Sequence, residues 1–179
     1  MKHLLLLAAV VLWTGLGFLI KRWPQNISKT FSQHAAAQRE SILYYAVLFS
    51  IVLPLMALYV VNWLIPTFNL SWTFTVFIWL AIVTQFVVVL IPETKGWRYF
   101  THRFLAFWGA FFLLPTLYFL AANQGVSIAG RYASGVSLVI MTGIFATLVA
   151  SKAEHQYFLI LQGSFFALYF ISLLTVTYT

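Results

Sequence analysis

The 179-residue chain is 63% hydrophobic and 7% charged, with a mean hydropathy of +0.94; a soluble domain carries about 25% charged residues, so this composition excludes a wettable globular surface. Its net charge of +7 is spread between apolar runs, which excludes a nucleic-acid-binding face and leaves topology signals and contacts with membrane lipids. Asp and Cys are absent, so disulfide and thiolate chemistry are excluded too.

A membrane-spanning helix needs about 20 mostly apolar residues, and six segments qualify. The first runs from Leu4 to Ile20 and ends at Lys21-Arg22-Trp23-Pro24. It lacks a small-x-small cleavage site before a polar start, so it reads as a retained span rather than a signal peptide. A polar segment over residues 25–41 follows, and its part from Lys29 to Glu40 is predicted to continue helix 2 beyond the bilayer or to lie along the interface. Ala35-Ala36-Ala37, beside Gln33, Gln38 and Arg39, favours helix there. The second span covers Ile42 to Leu64, and residues 65–69, Ile-Pro-Thr-Phe-Asn, read as a tight turn. The remaining spans are Trp72 to Ile91, Phe100 to Ala121, Gly130 to Ala150 and Tyr157 to Thr175. Short connections force antiparallel neighbours, so residues 1–179 form a single all-α transmembrane domain, a six-helix antiparallel bundle with no soluble part.

Loop charge sets the expected orientation. The 1–2, 3–4 and 5–6 connections with their flanks hold Lys21, Arg22, Lys29, Arg39, Lys95, Arg98, Arg103 and Lys152, against Lys2 and Arg131 on the other face. The positive-inside rule puts those three connections in the cytoplasm and both termini outside, in an inner or plasma membrane. Gly130, Ser134 and Ser137 give the fifth span a small-residue stripe, a seam for close helix packing or for a homo- or hetero-oligomer.

The rare polar residues gather at the cytoplasmic face. His34 and Glu40 precede the second span, Glu93 follows the third, His102 opens the fourth, and Glu154-His155 opens the sixth. Gln162 lies seven residues after His155, on the same helix face; Gln85 lies eight before Glu93, and Tyr44 one turn below Glu40. Amides in lipid need partners and face the bundle interior, so a polar funnel lined by Ser32, His34, Glu40, Tyr44, Gln85, Glu93, His102, Glu154, His155 and Gln162 is expected. Solvated side chains pairing with Arg39, Arg98 and Arg103 are the plainer reading of the same ionisable groups. A zinc-type site would draw on His34, His102 and His155, with His102, Glu93 and Glu154 as catalytic candidates. No His-x-x-x-His spacing occurs, so such ligands must converge from separate helices. Ser32 and His34 are two residues apart and do not face each other on a helix, so Ser32 reads as a cap or a headgroup contact. His102 is expected to turn inward, with Arg103 projecting about 100° away toward headgroups.

From Ser32 to Phe49 the chain resembles the six-span damage-regulated autophagy modulator family and its uncharacterised bacterial relatives. Phe31-Ser32-Gln33-His34 stands where that family has an Ile-Ser-Asp-Thr type motif, and Glu40 falls eight residues after Ser32, as a Glu does in the family. Gln33 and His34 replace its Asp and Thr, and Arg39 replaces the Pro before the Glu. His102 is similar to a His of the bacterial relatives. The resemblance implies a lipid-associated regulatory membrane protein with no established chemistry, and a motif loop facing away from the cytosol.

Three readings stand at this point. The first is a non-enzymatic membrane protein that binds lipid or a partner through its polar face, with no cofactor. The second is a metal-dependent lipid hydrolase using His34, His102, His155 and a Glu, with zinc as its ion. The third is a small-solute transporter or channel.

Overall fold

Prolines, glycines and short polar caps set the helix boundaries. α1 (His3–Arg22) stops where Trp23 leaves helical geometry ahead of Pro24. α5 (Trp72–Leu90) begins with the Ser71 hydroxyl accepting the Phe74 N–H at 3.3 Å. α6 (Trp97–Ala122) follows Gly96, whose φ of 71° suits a residue without a side chain. α7 (Ile128–Ala150) starts with Ser127 Oγ accepting the Gly130 N–H at 3.0 Å, and α8 (Phe158–Tyr178) completes the fold. The computed structural model describes residues 1–150 and 156–179; among these there are no strands, and six helices are long and apolar enough to cross a membrane.

Two sequence expectations are corrected. The segment from Lys29 to Glu40 is not one helix continuing into the second span. A separate five-residue helix, α2 (Phe31–Ala35), is followed by a turn, and α3 (Arg39–Tyr59) starts afresh. Ser41 stabilises the break: its hydroxyl accepts the Gln38 N–H at 3.0 Å and lies 2.7 Å from the Ala35 carbonyl oxygen. That bond stabilises the non-helical backbone more than the alanines' intrinsic preference opposes it. Residues 65–69 are not a tight turn either. α3 runs on through a π-helical turn (Val60–Leu64) into α4 (Ile65–Phe68). Pro66 falls in the first turn of α4, where a missing N–H is tolerated, and Asn69 at φ 46° ends the helix in the left-handed region.

The six long helices form a closed ring. Contacts run α1–α3, α3–α5, α5–α6, α6–α7, α7–α8 and back from α8 to α1, with α3–α5 and α8–α1 the thinnest seams. α1 and α3 pack closely at Gly15, where an added Cβ would meet Leu48 Cδ1 at 2.4 Å. Tyr44 belongs to this seam: its hydroxyl donates to the Gly15 carbonyl at 3.1 Å, and its ring packs on Trp23 and Phe18. The small-residue stripe of α7 is buried within the chain, facing α8. A Cβ on Gly130 would lie 3.1 Å from Val176 Cα, Ser137 donates to the Leu168 carbonyl at 3.3 Å, and Ser134 is fully buried. At that end of the bundle Tyr59 and Thr177 share a 2.6 Å hydroxyl hydrogen bond across α3 and α8.

Candidate functional site

The site is built on α2. Thr30 caps this helix, its hydroxyl accepting the Gln33 N–H at 3.1 Å while the Gln33 side-chain oxygen accepts the Thr30 N–H at 3.0 Å. This reciprocal capping box fixes both side chains. The Phe31 N–H, also unsatisfied by the helix, donates to Gln162 Oε1 of α8 at 2.9 Å. Leu159 N–H reaches the Ile27 carbonyl at 3.0 Å, so the first connection is tied to α8 at two points.

Held this way, α2 presents three donors to Glu93 in the α5–α6 connection. Ser32 Oγ donates to Oε2 at 2.6 Å, Thr30 Oγ1 to the same oxygen at 3.1 Å, and Gln33 Nε2 to Oε1 at 3.1 Å. A carboxylate only accepts, so every one of these contacts pairs donor with acceptor. Glu93 is 8% exposed, Ser32 7% and Thr30 8%; water contributes little here, and the carboxylate depends on its protein donors. His102 of α6 stands beside it, 3% exposed, with Nε2 3.8 Å from Glu93 Oε2. Its Nδ1 lies 2.6 Å from the Ile91 carbonyl oxygen, which can only accept, so Nδ1 carries a proton. Arg103, the next residue, bonds the Tyr99 hydroxyl, with its guanidinium over the Tyr99 ring, and also contributes to the lining of the cavity described below.

This polar cluster closes one end of a 430 Å³ cavity inside the ring, to which all six long helices contribute. That volume lies in the lower part of the roughly 300–1,000 Å³ range of small-molecule pockets. Away from the cluster the lining is almost wholly apolar, with Phe49, Val52, Ile78, Phe165 and Phe170 among the residues exposed to it. Tyr45, Gln85 and Gln162 add polar groups between the cluster and the apolar body.

Of the residues singled out from sequence, Ser32, Glu93 and His102 come together, and Gln85 and Gln162 line the same cavity. His34 does not join them. About 200° round α2 from Ser32, it is fully buried, with Nδ1 on the Thr30 carbonyl oxygen at 2.9 Å and Nε2 without a partner among the described residues. Glu40 is exposed in the first turn of α3, and Tyr44 serves the α1–α3 seam. Glu154 and His155 lie outside the described residues, among which no group of three His, Asp or Glu is placed to hold a metal ion. Sequence reasoning missed Thr30, Gln33 and Tyr45. Thr30-x-x-Gln33 is a legible capping-box signature, whereas nothing in the sequence distinguishes Tyr45 from Tyr44 except helix phase.

No protein-family model matches the chain, and neither does any curated protein or solved structure.

Proposed function

We propose that the chain is a multi-pass integral membrane protein that binds a lipid amphiphile without transforming it, the apolar chain occupying the ring cavity and the head resting against Ser32, Glu93 and His102. One observation carries this reading. The cavity is lined by six lipid-compatible helices, apolar along most of its length and polar at one end, matching the division within an amphiphile. The charge of the connections supports placing that end on the cytoplasmic side. The resemblance to a lipid-associated family favours a lipid ligand, although its motif loop would face away from the cytosol. Of the histidines a metal-dependent hydrolase would need, the described residues bring only His102 to Glu93.

The test is native mass spectrometry of the protein released from mild detergent, with lipid occupancy as the readout. Ala81 lines the cavity and is 4% exposed, so Ala81→Phe fills the space a chain would take. Val83, two residues on and 54% exposed, faces outward, and Val83→Phe serves as the control. Bound lipid is expected on the wild type and on Val83→Phe, and is expected to be lost from Ala81→Phe at unchanged thermal stability. Equal occupancy in all three folded proteins would refute the cavity as the binding site.

A further inference from the structure

Resting on the lipid-binding reading, we infer that the ligand is a neutral acyl ester bearing a free hydroxyl, of the monoacylglycerol class, with its hydroxyl at Glu93–His102 and its ester carbonyl at Gln85. Two unmet hydrogen-bonding needs, at different depths of the cavity, carry the inference.

The first need lies between Glu93 and His102. Nδ1 donates to the Ile91 carbonyl, so Nε2 is the ring atom that faces Glu93 Oε2. Their 3.8 Å separation exceeds the roughly 2.7–3.2 Å of a direct hydrogen bond. A hydroxyl both donates and accepts, so one ligand hydroxyl placed between Oε2 and Nε2 can reach both atoms. A negatively charged head would meet the carboxylate's like charge, while Arg103, which also contributes to the lining, is held on Tyr99.

The second need is deeper. Gln85 lines the cavity, and among the described residues its side-chain amide has no partner. Among the described residues the Tyr45 hydroxyl, also of the lining, is likewise unpaired, and Gln162, a further lining residue, has committed its oxygen to Phe31 while its NH2 has no partner. Each of these three free groups can donate a hydrogen bond, in an apolar setting where an unmade one is costly. A carbonyl oxygen meets that need without introducing charge. Gln85 sits five residues, roughly 7.5 Å, before the end of α5 at Leu90, and Glu93 follows three residues further on. A glyceryl ester extends over a comparable distance between its terminal hydroxyl and its carbonyl, and its single chain suits a cavity of this size.

The experiment compares four probes of equal chain length on the full-length protein in detergent: a monoacylglycerol, its 1-O-alkyl glycerol ether, the methyl ester and the free fatty acid. The ester is expected to bind about fivefold more tightly than the ether, the effect of one neutral hydrogen bond. It is expected to bind more tightly than the methyl ester by a similar factor, and more tightly than the fatty acid. Gln85→Leu should remove the ester–ether difference while leaving ether binding intact, and Tyr45→Phe should diminish it. If ester and ether bind the wild type equally, or the fatty acid binds best, the headgroup assignment falls while lipid binding stands. If none of the four competes with endogenous lipid and none binds lipid-free protein, both readings fall together.

Discussion

Replacing Glu93 with Leu removes one carboxylate and breaks three hydrogen bonds at once. Hydrogen bonds to a charged group contribute roughly 1.5–3 kcal/mol each, but their sum overstates the loss, because the donors can re-pair locally. Thr30 Oγ1 lies 2.9 Å from Ser32 Oγ and already accepts the Gln33 N–H, so the two hydroxyls retain a partner in each other. The Gln33 amide retains its own bond to the Thr30 N–H through its oxygen. About 2–4 kcal/mol is the expected net cost, borne by the docking of α2 rather than by the six long helices. Hydrogen exchange of the Gln33, His34 and Ala36 amides reports on it directly, since each is bonded within α2 or its caps. Their exchange through local opening should accelerate by between about 30-fold and 1,000-fold, while amides in the middle of α5 and α8 keep their rates. Glu93→Gln keeps the shape and one acceptor and should give a smaller acceleration. Unchanged α2 protection in Glu93→Leu would show that the carboxylate does not hold this helix, and the account of the site would fail with it.

Two further outcomes follow from the fold. Gly15→Leu forces a side chain into the position Leu48 occupies on α3 and should destabilise the protein by about 1–3 kcal/mol, whereas Gly17→Leu, with nothing near its Cβ, should change little; thermal unfolding in detergent compares them. Because the chain has no native cysteine, Gln25→Cys and Gln124→Cys report sidedness cleanly: an impermeant thiol reagent applied to intact cells should label Gln124→Cys and spare Gln25→Cys, and the opposite pattern would invert the orientation drawn from loop charge.

The six long helices were legible because each is a long apolar run bounded by Pro, Gly or charge, a signal that tertiary contacts do not reverse. The gathering of Glu93 and His102 at one end was legible for a related reason: topology alone brings helix ends to a common level. What the sequence hid was rotation. Glu40 and Ser32 look like partners eight residues apart, yet the break over residues 36–38 resets the helix phase between α2 and α3, leaving Glu40 exposed and Ser32 buried on Glu93. One position likewise separates Tyr44, spent on Gly15, from Tyr45 in the cavity, and a 100° step per residue is finer than an apolar pattern without polar interruptions can resolve. The Ala triplet favoured helix for a local reason that the Ser41 hydrogen bonds outweighed.

The arrangement of the polar contacts gives the cavity its position. α1 and α3 form one closely packed pair and α5 to α8 form a continuous group, and the seams joining the two are the thinnest in the ring. Hydrogen bonds across this division lie at the two ends of the bundle. At one end Tyr59 meets Thr177, and His3 Nδ1 lies 3.2 Å from the Tyr178 hydroxyl. At the other, Glu93 receives α2 while Gln162 and Leu159 hold the first connection. Between these ends the two groups face the cavity largely through apolar side chains. Close packing there would require shape complementarity along the whole seam, and the cavity occupies the length where the side chains do not provide it. Hydrocarbon lost from such a gap forfeits dispersion contacts on both walls, so a chain that fills it stabilises the same division that the terminal hydrogen bonds span. The Glu93 cluster then serves both requirements: its three donors fix the end of the ring, and Glu93 and His102 together face the space within it.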